Sequence, residues 1–322
     1  MSIQLGIIGM GGTGNSHLSR LKQMPEAQIV AVCDVIEERA KKAAEPISCA
    51  YYTDYREMLA EKQMDAMLVC LPGFARGDVA IDAAKNGCHL FIEKPAATDI
   101  ELAKRWEKAI EEAEVLNSVG YMWRYSEITD RAKEIVEGRR ILMLRSTVFS
   151  GLPGGWFRQK EKSGGQIVDQ STHLIDLFRY FVGDAVRVQA FGYQFQKEIE
   201  EMTVEDVTVL NIEFAKGQLG SVCSTWAYKR GSLFTVELLG ENLHLALDYS
   251  ANALTGTLDG EKIEHKCSDN PYVTEMEAFL AAVKAEDQNM IRSSYADAVK
   301  TLRITLAANR SIETGQVEKV RT

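Results

Sequence analysis

The chain has 322 residues, of which 46% are hydrophobic and 26% charged, and it carries a net charge of -9. That length exceeds the usual single domain, so two domains are expected. The acidic balance, with no basic block, excludes a general nucleic-acid binder. The opening MSIQLGIIGMGG has no Lys or Arg ahead of its apolar run, unlike a signal peptide. No stretch approaches the ~18 unbroken apolar residues of a membrane span. Six cysteines without CxxC spacing read as free, mostly buried thiols, with no zinc site and a reducing, cytoplasmic setting.

In chain order, short apolar runs at residues 4–8, 29–33, 66–70, 88–92 and 115–120 predict strands. Between them, residues 15–24, 35–45, 54–61, 76–86 and 99–113 carry helical periodicity. Asp54 and Asp99 stand where helix N-caps belong. Strands that are apolar on both faces, alternating with helices, predict a doubly wound parallel sheet in an α/β domain. From about Arg139 the rhythm changes to alternating or β-branched runs at residues 141–149, 186–195, 207–214, 220–226, 233–239 and 243–247. Turn signals between the later runs predict hairpins and a large, mostly antiparallel sheet. Helices are expected at residues 169–182, 274–285 and 294–314. The organisation expected is therefore a nucleotide-binding half over residues 1–122 followed by an α+β half over residues 123–322.

The first strand runs into Gly9-Met10-Gly11-Gly12-Thr13-Gly14, which fits G-x-G-x-x-G and opens the first helix. Gly9 suits the tight turn, Gly11 lets a pyrophosphate approach the backbone, and Gly14 lets helix and strand pack closely. Gly12 and Thr13 supply N–H groups at a positive helix end. Asp34 closes the second strand about twenty residues further on, where a carboxylate accepts bonds from the adenosine ribose and repels a 2′-phosphate. A helix-capping role for Asp34 is the alternative. With Glu37 and Glu38 beyond it, NAD is expected over NADP, and Arg39 is the one neighbour that softens the preference.

Two further constellations carry candidate chemistry. Glu93-Lys94-Pro95 follows the strand at residues 88–92, at the carboxyl edge where ligands bind in such sheets. Pro95 keeps Lys94 out of helical geometry, so the amine is either a proton-handling group or a solvated lysine in a turn. In the run from Gly164-Gly165 to Asp176, a continuous helix places Asp169, His173 and Asp176 on one face. A histidine beside carboxylates suits a general base. The same face serves equally well as the polar side of an amphipathic helix, and it is a poor zinc set. His17 is expected to pack beside the glycine turn and His89 in the core, whereas His244 and His265 lie in hairpins with no partner evident.

Taken together, the glycine turn, Asp34, Glu93-Lys94-Pro95 and the Asp169–His173–Asp176 run resemble the Gfo/Idh/MocA family, the glucose-fructose oxidoreductase and inositol dehydrogenase group. The resemblance covers nearly the whole chain. It implies a Rossmann domain followed by an α+β domain with a large open sheet, whose free face pairs subunits into homodimers or homotetramers. It also implies NAD-dependent hydride transfer at a secondary hydroxyl or ketone of a sugar, sugar acid or cyclic polyol. Lys94, Asp169 and His173 match the family's catalytic residues, with His173 taking the hydroxyl proton and Lys94 holding the substrate oxygen. Tyr121, Arg124, Trp156, Arg158 and Tyr272 are implied at the substrate, and Leu71, Pro72 and Glu93 beside the cofactor. Where relatives read Thr-Pro-Asn and then a His, this chain has Leu71-Pro72-Gly73 and then Arg76. With Arg124 and Arg158, Arg76 raises the expectation of an acidic sugar. An NAD-dependent glycosidase and an inactive dinucleotide-binding regulator are the competing readings.

Overall fold

The computed structural model describes residues 2–321 and divides into two units. The first takes in the chain up to Gly120 together with Tyr272–Asp297, and the second Tyr121–Pro271 and the chain from Ala298 onward. The expected second domain, unbroken over residues 123–322, thus gives up a segment to the first unit. The reason lies in one helix: Met276, Phe279, Leu280 and Val283 are buried in the first unit's core, where Phe279 meets Phe91 edge-on at 5.6 Å.

The first unit alternates β1 (Ile3–Ile8), α1 (Gly12–Leu21), β2 (Ala27–Cys33), α2 (Glu37–Ala44), β3 (Ala50–Tyr52), α3 (Tyr55–Glu61), β4 (Ala66–Val69), α4 (Val79–Lys85), β5 (His89–Ile92), α5 (Ile100–Ala113) and β6 (Asn117–Val119). All pairings are parallel and the order is β3-β2-β1-β4-β5-β6. This is the doubly wound Rossmann arrangement expected. Leu5, Ile7, Val32, Met67, Leu68 and Phe91 are fully buried, as strands covered on both faces require. Asp54 and Asp99 cap α3 and α5, accepting from the amides of Arg56 and Leu102 at 2.8 Å each. The three-residue β3 was not anticipated, being too short to show a period. α1 starts three residues earlier than expected, because its first turn contains the glycines that mask helical propensity.

The second unit begins with α6 (Glu127–Val136), also unanticipated, followed by β7 (Ile141–Phe149), the single turn α7 (Lys160–Ser163) and α8 (Thr172–Val182). Then come β8 (Ala185–Tyr193), β9 (Val207–Phe214), β10 (Leu219–Thr225), β11 (Leu233–Gly240), β12 (Leu243–Asp248), β13 (Ala253–Leu258) and β14 (Glu261–Lys266). α9 (Pro271–Ala285) belongs to the first unit from Tyr272 on, and α10 (Tyr295–Thr314), in the second unit from Ala298 on, precedes the short β15 (Glu318–Lys319). The nine strands run in the order β14-β13-β12-β11-β7-β10-β9-β8-β15, antiparallel throughout except for β7 with β10. One face of this sheet is covered by Ile128, Ala132, Leu174, Ile175, Phe178, Ile304 and Ala307 from the helices. On the other face the register aligns Met143 with Leu219, Cys223 with Val209, and Val209 with Phe191. No helix among the described residues is long and apolar enough to cross a membrane.

Candidate active site

In the first unit the glycine turn leaves β1 at its carboxyl end. Gly9 has φ +90°, and a Cβ there would lie 2.7 Å from the Cys70 carbonyl oxygen. A Cβ on Gly14 would stand 2.0 Å from the Gly9 carbonyl oxygen, so α1 packs on the turn only with glycine at that position. Gly11 and Gly12 differ, because a Cβ on either would meet nothing within 4 Å. The protein's own packing does not demand those two glycines, and they leave bare backbone facing open space. α1 has no side-chain cap at Gly11 and no acid in its first turn, so its N–H groups and positive dipole end stay available to an anion.

Asp34 is buried beside this turn, where Oδ2 accepts the Met10 amide at 2.8 Å and Oδ1 the Ile36 amide at 2.9 Å. Each oxygen retains acceptor capacity for a hydroxyl. The capping alternative does not hold, since the N-cap position of α2 is Ile36. Arg39 is exposed on α2, and Leu71-Pro72 follows β4 at the same sheet edge.

Glu93 and Lys94 follow β5 on that edge. The Glu93 carboxylate bonds His17 Nε2 at 2.6 Å and accepts the Lys94 amide at 3.2 Å, tying α1 to the lysine loop. His17, itself 1% exposed, therefore does more than pack, and a histidine one helical turn past the glycines was the signal for it. The Lys94–Pro95 peptide is cis. Tyr272, in the same unit, lies under the Arg20 guanidinium at 4.4 Å with its ring partly exposed.

Arg76 departs from expectation. It is 2% exposed, and its guanidinium donates to main-chain carbonyls, reaching Leu71 at 3.1 Å, Glu93 at 2.6 Å, Lys94 at 3.3 Å and Ala96 at 3.1 Å, and Pro95 as well. A fork filled in this way cannot greet an acidic substrate.

In the second unit, Ile167–Ser171 forms a π-helical turn that leads directly into α8. The expected continuous α-helix from Asp169 is thus widened at its start, which rotates Asp169 away from the regular i, i+4 relation to His173. Asp169 is buried, whereas His173 is half-buried between Tyr121, edge-on at 5.9 Å, and Trp123 at 5.1 Å. Asp176 does not join them. It is fully buried and takes both Arg124 Nε and an Arg124 Nη at 2.6 Å, plus the Thr301 hydroxyl at 2.9 Å.

That pairing corrects the substrate role expected for Arg124, which is 3% exposed with its fork closed on Asp176. Tyr121 is likewise buried, its hydroxyl bonded to Thr172 at 2.8 Å and its pKa raised by burial and by the Asp176 charge. Trp156 stacks on Phe157 at 3.9 Å, and Arg158 Nε donates to the Pro153 carbonyl at 2.7 Å, both side chains half-buried. The hairpin histidines do find partners: His244 bonds Glu237 at 3.1 Å and His265 bonds Glu127 at 2.8 Å. All six cysteines are free, and the Cys267 thiol, which donates to Asp269, is pushed up to about 11 by burial and that carboxylate.

Comparison with known families adds the decisive observation. Residues 3–121 match the oxidoreductase family model with the NAD-binding Rossmann fold, and residues 131–245 match the GFO/IDH/MocA C-terminal domain. The chain belongs to the Gfo/Idh/MocA family. It is similar to the myo-inositol 2-dehydrogenase of Thermotoga maritima, at 26% identity over 97% of this chain and 96% of that protein. It is also similar to the scyllo-inositol 2-dehydrogenase (NAD(+)) of Bacillus subtilis, at 28% identity over 74% of this chain and 71% of that one. A solved levoglucosan dehydrogenase, in complex with NADH and levoglucosan, shares the fold at a TM-score of 0.91 with 22% identity, covering 100% of both chains.

Proposed function

We propose that this chain is an NAD-dependent dehydrogenase oxidising a secondary hydroxyl of a neutral sugar or cyclic polyol, or reducing the matching ketone. The observation that carries the reading is the open backbone at Gly11 and Gly12, bonded through Met10 to the buried Asp34 carboxylate. The uncapped start of α1 suits a pyrophosphate, and Asp34, with Glu37 and Glu38, suits a ribose without a 2′-phosphate and so favours NAD over NADP. NAD, when bound, supplies the hydride acceptor.

The chain's own residues do the rest. His173 takes the hydroxyl proton, its ring held between Tyr121 and Trp123. Lys94 donates to the same substrate oxygen and favours its developing negative charge. Asp169, buried in the π-helical turn, binds a neighbouring hydroxyl or orients the histidine. Trp156, Arg158 and Tyr272 are left to contact the rest of the substrate. Because Arg76 and Arg124 are engaged within the fold, the acidic-sugar expectation loses two of its three cations.

The subunits associate through the uncovered face of the nine-stranded sheet, where Met143, Phe191, Tyr193, Val209 and Leu219 are exposed. Six free cysteines accord with a cytoplasmic enzyme. A panel of inositols, aldoses and uronates, each offered NAD and NADP and followed by the absorbance of the reduced cofactor, tests the assignment. Turnover is expected with a neutral polyol and NAD. Activity confined to uronates, or reduction of NADP alone, overturns it.

A further inference from the structure

We infer that Arg76 is a positioning residue for Lys94, and that Gly73 and Arg76 act as one device. The inference rests on the dehydrogenase reading only for the role of Lys94, since the device itself is visible in the first unit. Gly73 lies in the loop after β4, and a Cβ there would stand 2.3 Å from Thr98 Cγ2. Glycine at that position leaves room for the Thr98 side chain where residues 93–98 lie against residues 71–76. Across this contact Arg76 delivers its donors to the carbonyls of Glu93, Lys94, Pro95 and Ala96, while a further bond to Leu71 anchors the guanidinium in its own loop. Tyr295 adds its hydroxyl to the Ala96 carbonyl at 3.1 Å.

The chemistry of the guanidinium explains why arginine stands here. It is planar and always charged, and its five N–H groups form a rigid fork. Bonds from a charged donor are stronger than neutral ones, so carbonyls collected by one cation are held more firmly than by a neutral side chain. An imidazole, with two ring nitrogens, could not gather four successive carbonyls. The clamp acts on the main chain of Lys94 while the amine at the end of its side chain remains outside it. Arg76 thus touches neither substrate nor cofactor. It fixes the base from which the lysine reaches, and misplacement of a catalytic group by about 1 Å can cost on the order of a hundredfold in rate.

Two measurements test this, one of them independent of turnover. Peptide-level amide hydrogen exchange over residues 93–98 is expected to quicken about tenfold in Arg76→Met, with the β1 to β4 strands unchanged; unchanged exchange in that segment overturns the clamp. In steady-state kinetics, Arg76→Met is expected to lower kcat about 10- to 100-fold while KM for NAD stays within about twofold. Placed on Lys94→Ala, the same change should add less than about a twofold loss, because the two act on one event. A full multiplicative loss on that background, or a loss of NAD affinity with kcat intact, shows that Arg76 does not act through Lys94. Should Arg76→Met fail to fold, Arg76→Lys takes its place. One ammonium cannot span the carbonyls, so the same pattern at smaller amplitude is expected, and wild-type exchange with wild-type kcat refutes the inference. If the wild type turns over no member of the substrate panel, the dehydrogenase reading fails, and the exchange result still decides the clamp.

Discussion

The carboxyl edge of the parallel sheet and the helix layer over the antiparallel sheet each hide an arginine, and the two are neutralised differently. Arg76, 2% exposed, is surrounded by carbonyl dipoles, whereas Arg124, 3% exposed, closes on the carboxylate of Asp176. Both looked from their sequence positions like substrate-facing cations, and both serve the scaffold beneath a candidate catalytic residue. The difference lies in what each would leave behind. Without Arg76 a set of neutral carbonyls loses its donor. Without Arg124 a full negative charge stays buried and uncompensated, which costs far more.

The largest effect is therefore expected from Arg124→Met, about 3–5 kcal/mol of stability by urea unfolding. Asp176→Asn on top of it should restore part of the loss. If Arg76→Met proves the more destabilising of the two, the contrast between dipoles and carboxylate is wrong. Next come the groups these arginines support: Lys94→Ala and His173→Ala are each expected to lower kcat about 100-fold, with NAD binding by Lys94→Ala nearly unchanged in calorimetry. Survival of turnover in either variant removes that residue from the chemistry. Asp34→Asn keeps an acceptor for the Met10 amide but loses its charge, and should raise the NADP-to-NAD ratio of kcat/KM about tenfold. An unmoved ratio would shift the preference to the neighbouring carboxylates Glu37 and Glu38. Smallest is Asp99→Ala, which removes the cap of α5 just beyond the Arg76 clamp. It should cost about 1 kcal/mol in thermal unfolding and leave kcat intact, and so separates stability from positioning.

Much of the architecture was legible because it rests on period and on local chemistry. The apolar runs gave β1, β2, β4 and β5, and Asp54 and Asp99 marked two helix starts through bonds to amides two and three residues on. The alternating runs gave β7 and β9 to the residue. β13 and β14 escaped because ALTGTL and EKIEHK are short and carry few large apolar residues. The π-helical turn escaped because no spacing rule distinguishes it from an α-helix. Which partner a buried cation takes depends on what tertiary packing brings near, and no local pattern near Arg76 names the carbonyls of residues 93–96. The attachment of Tyr272–Asp297 to the first unit is of the same kind, since an apolar stripe such as Met276, Phe279 and Leu280 does not say which core it will enter.

The place of β7 in its sheet also governs how the second unit can be assembled. Its neighbours on either side are β10 and β11, which the ribosome delivers only some seventy residues or more later. Until Thr225 has emerged, a nascent chain carries a hydrophobic central strand with both edges unclaimed, and one edge stays open until Gly240 follows. That interval is the most vulnerable to aggregation during synthesis, and a truncation ending between β9 and β10 would make it permanent.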